Sequence, residues 1–600
     1  MKTNGGNALI KKGYFDMGKW DLSILYSGFD DPKYSSDIEE LSARSKSLSD
    51  LAAKVGELDK KELMISYVKE SEAISTLISK LAIFANLRYS ANTKDTDAAS
   101  ALGKVMNIAA GTARADTVIK AAIAGEAKLP EMIKSAPELC DYEYFLMNIA
   151  RDGKYLLSDG EEELFAKMNM SGASAWSDLQ SSLTSSLKVK LGDETVNLST
   201  VRNLAYDPDP EVRRSAYEAE LAAYEKIKEP VAFALNSIKL QVLSECALRG
   251  FSSPLDKALY NSRMKRETLD ALMGAIDEYL PVFRKYLRAK AKALGHEGGL
   301  PWYDLFAPMG KADKKYTVSD AKDYLLGVFG KFDGELHDMV KEAFECGWID
   351  FYPRDGKVGG AFDCGVPSAK ESRVLTNFDG SFSDVITLAH ELGHSFHDRQ
   401  VFRHSIINQD YSMPVAETAS TFNEVMVMAD AIAGAETKEE KLLLIESELM
   451  DATQIIVDIY SRYLFESSVF EKREEEFMDA DKLSGLMLEA QKKAYGDGLD
   501  EKTMHPFMWV CKGHYYSGGL SFYNFPYAFG GLFARGLYAK YKKEGKDFVS
   551  TYKKLLYTTP IAVVEDAAAI AGVDLTSRDF WRAGLSMMAD EIEEFCDLVK

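Results

Sequence analysis

The chain has 600 residues, of which 46% are hydrophobic and 28% charged, with 72 basic against 93 acidic side chains for a formal net charge of −21. This is the composition of an ordinary globular protein, too long for one simple domain. The acidic balance argues against a nucleic-acid partner or an anionic membrane surface.

Residues 1–19 contain lysines but no continuous apolar segment, so they read as a loose arm rather than a signal peptide. Apolar residues then recur at helical spacing, as in Ile74, Leu77, Ile78, Leu81 and Phe84, and the dominant element is predicted to be the α-helix. No apolar run approaches the length needed to cross a bilayer. The nearest, residues 108–127, is interrupted by Arg114, Asp116 and Lys120. Leu187-Lys-Val-Lys-Leu-Gly-Asp-Glu-Thr-Val-Asn-Leu198 alternates around Gly192 and Asp193 and predicts a hairpin. That hairpin marks the expected boundary between an N-terminal helical lobe, 20–199, and a catalytic region, 200–600. Asp207-Pro-Asp-Pro210 then opens a helix, with its prolines before or within the first turn.

A short strand-rich region follows. Trp348-Ile-Asp-Phe-Tyr352 and Gly359-Gly-Ala-Phe-Asp-Cys364 flank the turn-forming Pro353-Arg-Asp-Gly356, and Arg373-Val-Leu-Thr-Asn377 supplies a third candidate strand. An exposed strand edge can bind an extended peptide through main-chain hydrogen bonds, and Gly359 and Gly360 would let that backbone come close to Ala361 and Phe362. A plain structural hairpin fits the same residues. Asp379-Gly380 turns the chain again, and Ser383 with Asp384 is the expected cap of the next helix. Further on, Leu449, Ala452, Ile456, Ile459 and Tyr463 form another helical stripe. The six cysteines, Cys140, Cys246, Cys346, Cys364, Cys511 and Cys596, show no paired spacing, which favours a reducing compartment and a cytoplasmic location.

The most informative stretch is Leu388-Ala-His390-Glu391-Leu-Gly-His394-Ser-Phe-His397, which holds three of the chain's eight histidines. His-Glu-x-x-His on a helix puts two imidazoles on one face, one turn apart, where they can grip a divalent ion. Glu391 stands beside them as a candidate general base for a water that the ion activates. A third protein ligand is required. The metzincin spacing would place a histidine at position 400, which is Gln400, and His397 lies nearly two turns from His390, more suited to a supporting or packing role. The acidic candidate is Met413-Pro-Val-Ala-Glu417-Thr-Ala-Ser-Thr-Phe-Asn-Glu424. Glu417 as ligand and Glu424 as acceptor for a ligand imidazole form a coherent pair, although in isolation two solvated glutamates on a surface helix are the preferred reading, and only the nearby His-Glu-x-x-His reverses it. Near the C-terminus, His514-Tyr-Tyr-Ser-Gly-Gly-Leu-Ser-Phe-Tyr523-Asn-Phe-Pro-Tyr527 offers donors for an oxyanion, with Gly518 and Gly519 as a mobile segment. Aromatic clusters of this kind also occur as plain core.

Taken in order, His390-Glu391-Leu-Gly-His394-Ser-Phe-His397, Val415-Ala-Glu417-Thr-Ala-Ser-Thr-Phe-Asn-Glu424 and His514 with Tyr523 and Tyr527 resemble the oligoendopeptidase F branch of the thimet-oligopeptidase family. The resemblance extends almost end to end, through Trp20-Asp-Leu-Ser-Ile-Leu-Tyr26, Ala175-Trp176, Trp302-Tyr-Asp-Leu-Phe-Ala-Pro308 and Gly356-Lys-Val-Gly-Gly-Ala-Phe362. It implies a mainly α, two-lobed body with a deep central channel and a small β-sheet beside the His-Glu-x-x-His helix. The implied activity is zinc-dependent endopeptidase action on short peptides, with one Zn²⁺ per chain and no obligate protein partner. By the same resemblance His390, His394 and Glu417 hold the metal and Glu391 is the base. Glu424 supports the site, His514 with Tyr523 or Tyr527 stabilises the oxyanion or orients substrate, and Gly359–Phe362 belongs to the strand that meets the substrate, while His397 keeps the supporting role read from its spacing. Phe525 stands where many relatives carry a further tyrosine and cannot donate. Two rival functions share the metal grip: a metallocarboxypeptidase trimming free C-termini, and an inactive scaffold that binds peptides.

Overall fold

The computed structural model describes residues 18–310 and 314–600, so all of the expected N-terminal arm but Gly18 and Lys19 lies outside the described residues. The fold is mainly α, with two small sheets among the described residues. The chain divides into two compact units, each discontinuous in sequence. One takes the chain up to Leu146 together with Lys314–Gln409; the other takes Met147–Asp313 and Asp410–Lys600. This partition differs from a linear division at 199/200. The hairpin forms as predicted, with Lys188–Leu191 antiparallel to Glu194–Asn197, but its Val189 is buried and the first strand packs on the helix Pro210–Tyr224. A hairpin that buries a side chain against the next helix is part of a unit's interior rather than a link between units.

In the first unit three long helices, Pro32–Ala53, Lys60–Ala91 and Thr96–Ala124, pack on one another. Each opens on an aspartate, Asp31, Asp59 or Asp95, whose carboxylate accepts a first-turn backbone N–H. The stripe read from the sequence faces inward, with Ile74, Leu77, Leu81 and Phe84 buried and Ile78 half-buried. Each such side chain contributes about 1.5–3 kcal/mol on burial. Trp20, Leu87 and Leu375 form a small core on which Phe362 and Cys364 rest, tying the start of the described chain to the helix Lys60–Ala91 and to the sheet.

That sheet has three strands, Ile349–Asp350, Phe362–Val366 and Glu371–Leu375, with the last of them in the middle. The first strand runs parallel to the middle one and the second antiparallel to it, so the two segments flanking Pro353-Arg-Asp-Gly356 do not pair with each other. The intervening loop is committed elsewhere. Buried Asp350 binds Arg354 at 2.6 Å and Lys357 at 2.7 Å, while the Gly356 carbonyl accepts from Thr93 N at 2.7 Å. The middle and antiparallel strands both support the helix Phe382–Val401. Its cap is Ser381 rather than Ser383. Gly380, with φ +95°, turns the chain so that the backbone N–H groups of Asp379, Gly380 and Ser381 all reach Asp384 Oδ2 at 3.0 Å, and Asp384 N donates to Ser381 Oγ at 3.1 Å.

Among its described residues the second unit has helices, the hairpin and an isolated bridge between Leu300 and Leu499 as its regular elements. Leu449, Ala452, Ile456 and Ile459 are buried as the spacing predicts, but the run from Lys438 to Arg473 is broken by a π-helical segment, Gln454–Asp458. Among the described residues one helix, Lys228–Arg249, is long and apolar enough to cross a membrane by length and composition, although no such run stood out in the sequence; 56% of its most apolar window is buried, as in a core helix. All six cysteines are free.

On the C-terminal helix Arg578–Leu598, burial and then the charge of Glu448 push the Glu591 carboxyl up to about 8, against an attraction to Arg535. A folded-state pKa raised above the unfolded value costs stability as pH rises from the unfolded pKa to the folded one. Glu591→Gln is therefore expected to match the parent near pH 4 and to be the more stable protein at pH 9, by up to about 5 kcal/mol. Tm measured by differential scanning calorimetry across that range tests it; equal Tm values at pH 9 would contradict the assignment.

Candidate active site

One turn of the helix Phe382–Val401 separates His390 from His394, and their Nε2 atoms lie 3.2 Å apart with the ring planes at 81°. Two nitrogens bound at 2.0–2.1 Å to one tetrahedral ion are roughly 3.3 Å apart, so this spacing suits a shared ion. Glu417 offers a third ligand atom, and the three lie within 4.8 Å of one another. Glu391, between the histidines, is buried. His397 is fully buried and stands outside this ligand cluster.

The helix is fixed from the sheet side. Ser395 Oγ donates to Asp363 Oδ1 at 2.6 Å, and Gly365 comes so close that a Cβ there would sit 2.1 Å from Asp398 Oδ2 and 2.8 Å from Phe402 Cζ. Burial, then the neighbouring Asp398, pushes the Asp363 carboxyl well above the usual range, and burial pushes Asp398 up to about 6. Gly365→Ala is expected to cost about 1–3 kcal/mol by overpacking strand against helix. Urea denaturation measures this; a loss below about 0.5 kcal/mol would show that the contact is not tight.

Glu417 sits at the junction of a short helix, Met413–Ala416, and a longer one, Thr418–Gly434, with Pro414 in the first turn as predicted. Ser420 Oγ donates to Glu417 Oε2 at 2.7 Å, orienting the carboxylate. Gly530, on the helix Phe525–Glu544, allows that helix to approach: a Cβ there would meet Glu417 Cβ at 3.0 Å. Glu424 lies near Asp451 and Arg535, and its charge contributes, after burial and Glu448, to raising Asp451 to about 7.

His514, on the turn Gly513–Tyr516, forms an aromatic triangle with Tyr523 and Tyr527, at ring distances of 5.2 and 6.0 Å from His514 and 5.8 Å between the tyrosines. Burial, then the cations of Arg462 and Lys512, lowers the His514 pKa, which keeps the ring neutral. Burial, then Tyr523, holds Tyr527 up at about 12, with Glu417 adding to the effect. Both groups therefore remain neutral donors through the neutral range. Phe525 is buried at the start of its helix and takes no part in the triangle's chemistry.

The model of peptidase family M3 matches residues 203–587, more than half of the chain. The chain belongs to peptidase family M3. An oligopeptidase F model matches residues 124–188. Similar M3 relatives include oligopeptidase PepF of Bacillus subtilis, 27% identical over 79% of this chain and 71% of that protein, and an oligoendopeptidase F homolog of Lactococcus lactis, 25% identical over 97% of both. Among solved structures, oligoendopeptidase F from Enterococcus faecium superposes with a TM-score of 0.70 at 18% identity, covering 94% of this chain and 99% of that one. A candidate peptidase from Chlamydophila abortus reaches 0.86 at 21% identity, covering 97% and 98%.

Membership of M3 makes this chain a metallo-oligopeptidase, and the His390–His394–Glu417 cluster is where its described residues can hold a catalytic metal. Several supports of the site escaped the sequence reading. Ser420 is one of them, although a serine three positions after a carboxylate is a readable hydrogen-bond signal. Gly365, Gly530 and the Ser395–Asp363 bond carry no local signal, because each matters only through a distant partner. Phe522 is another such case. Its φ of +54° is strained for a bulky residue, and its ring stacks on Phe470 at 5.5 Å just before Tyr523.

Proposed function

We propose that this M3 peptidase is a zinc-dependent endopeptidase that cuts internal bonds of short peptides in the cytoplasm, with one zinc ion held by His390, His394 and Glu417. The observation that carries the metal assignment is the 3.2 Å spacing of the two Nε2 atoms, with a carboxylate within reach of both. Imidazole and carboxylate donors suit zinc. The oligopeptidase and oligoendopeptidase names of the relatives support short substrates and internal cuts.

When bound, the ion would polarise the scissile carbonyl and make a water acidic enough to attack at neutral pH. Glu391 takes the proton of the attacking water and delivers one to the leaving amine. His514 with Tyr523 or Tyr527 donates to the developing oxyanion, each donor worth on the order of 3 kcal/mol. Glu424 and His397 support the site from behind. Phe362–Val366 is an edge strand, and together with Gly359, Gly360 and Ala361 it offers main-chain groups to an extended peptide.

The test is cleavage of an internally quenched peptide of about ten residues, blocked at both ends, a length that spans an extended site. Internal cuts that vanish with chelator and return with zinc would support the proposal. Cleavage only of peptides with a free C-terminus would replace it with a carboxypeptidase, and no cleavage by the zinc-loaded protein would refute it.

A further inference from the structure

The residues on either side of Tyr523 are held by one face of a single helix. On the helix Ile459–Arg473, Tyr463, Glu466 and Phe470 follow one another at i, i+3 and i+7 and so share a face. Phe522 rests on two of them, its ring 5.5 Å from that of Phe470 and 5.8 Å from that of Tyr463. A bulky residue keeps the positive φ of Phe522 only where its surroundings over-determine it. Asn524, on the other side of Tyr523, is fully buried and donates through Nδ2 to Glu466 Oε2 at 3.4 Å. Its Oδ1 accepts from Phe525 N at 3.0 Å and its carbonyl from Tyr527 N at 3.1 Å, at the start of the helix Phe525–Glu544. On the same helix as Glu466, Phe465 meets the ring of Tyr515, the residue after His514, at 5.1 Å.

A charge from the helix Lys228–Arg249 completes this arrangement. Lys239 Nζ donates to Glu466 Oε1 at 2.6 Å and lies 4.5 Å from the centre of the Phe470 ring. Both side chains of the pair are 1% exposed. Such a pair is a poor source of stability, because apolar residues of similar volume often pack as well or better. What it supplies is geometry. One carboxylate oxygen takes the ammonium and the other serves Asn524, whose buried amide N–H would otherwise be left without an acceptor, at a cost.

We propose that Lys239 and Glu466 are positioning residues, which act through Asn524 and through Phe470 and Phe522 to hold Tyr523 beside His514 as the oxyanion donor. This rests on the peptidase reading above. It makes Tyr523 the donor because the two anchored residues flank it directly, with its ring 5.2 Å from that of His514. Neither Lys239 nor Glu466 touches substrate; each sets where the phenol stands.

The test is a cycle of wild type, Tyr523→Phe, Lys239→Met/Glu466→Leu and all three substitutions together, assayed on the end-blocked quenched peptide. Replacing both members of the pair leaves no buried charge unpaired, and Tm with metal content shows that each protein is folded and loaded. Tyr523→Phe is expected to lower kcat about a hundredfold. Lys239→Met/Glu466→Leu is expected to lower kcat about tenfold or more with KM within about twofold, because a misplaced donor is lost to the transition state and not to substrate binding. In the Tyr523→Phe background, loss of the pair is expected to change kcat by less than about twofold. Equal losses in the two backgrounds would mark a structural role and overturn the assignment. An unchanged kcat in Lys239→Met/Glu466→Leu or in Tyr523→Phe overturns it too. Should the paired variant fail to fold, Glu466→Gln, which keeps the size but cannot serve both partners as a carboxylate does, is read in the same cycle by the same criteria. Any of these overturning results with an active wild type leaves the peptidase reading standing, whereas a zinc-loaded wild type that cuts no peptide overturns both.

Discussion

Glu391→Gln is expected to retain its full complement of metal and to lose about 10²–10⁴-fold in kcat, the range that a positioned general base supplies. Glutamine keeps the size and the buried position of Glu391 but cannot take a proton. Because His390 and His394 are held by their own helix, one turn apart and braced through Ser395 and Asp363, the substitution leaves the metal grip in place. The checks are metal content by plasma mass spectrometry and kcat over pH 5–9. A variant that keeps turnover within about threefold of the parent would remove Glu391 from the role of base.

Glu417→Ala is expected to fail at the metal itself. It removes one of three ligand atoms at a junction where Ser420 and Gly530 are arranged around the carboxylate. Loss of a residue that merely supports a ligand costs about 10–100-fold in metal affinity, and loss of the ligand exceeds that. Ser420→Ala, which deletes the 2.7 Å hydrogen bond and keeps the carboxylate, is the graded comparison, at about tenfold. A metal that binds only the folded chain adds about 2.7 kcal/mol at a hundred times its Kd. Zinc should therefore raise the Tm of the parent and of Ser420→Ala but not that of Glu417→Ala. Stoichiometric zinc in purified Glu417→Ala would show that another group is the third ligand.

The pattern of agreement follows the distance along the chain over which each feature is decided. The His390–His394 spacing, the helix opened at Pro210 and the turn at Gly192 are set by neighbours within a few residues, and all appear as read. The cap of the metal helix was misplaced by two positions, at Ser383 instead of Ser381. Both serines can cap, and the choice fell to the left-handed turn at Gly380, whose carbonyl also accepts from Tyr316 N at 2.8 Å. The plain hairpin across Pro353–Gly356, one of the two readings of that region, does not form: Ile349–Asp350 pairs in parallel with Val374 and Leu375, while Asp350 holds the intervening loop through Arg354 and Lys357.

The sequence by itself determined the helical class of this protein and the helix that sets His390 and His394 one turn apart. Helical periodicity and His-Glu-x-x-His spacing are properties of a single element, legible wherever that element forms. Only the tertiary structure decided how the chain divides into units, which strand stands in the middle of the sheet, that Gly365 must lack a side chain, and that Phe522 and Asn524 rest on one face of the helix Ile459–Arg473. Each of these depends on close approach between atoms distant in sequence. Such contacts are selected by packing and by the satisfaction of buried polar groups, neither of which leaves a local pattern in the residues themselves.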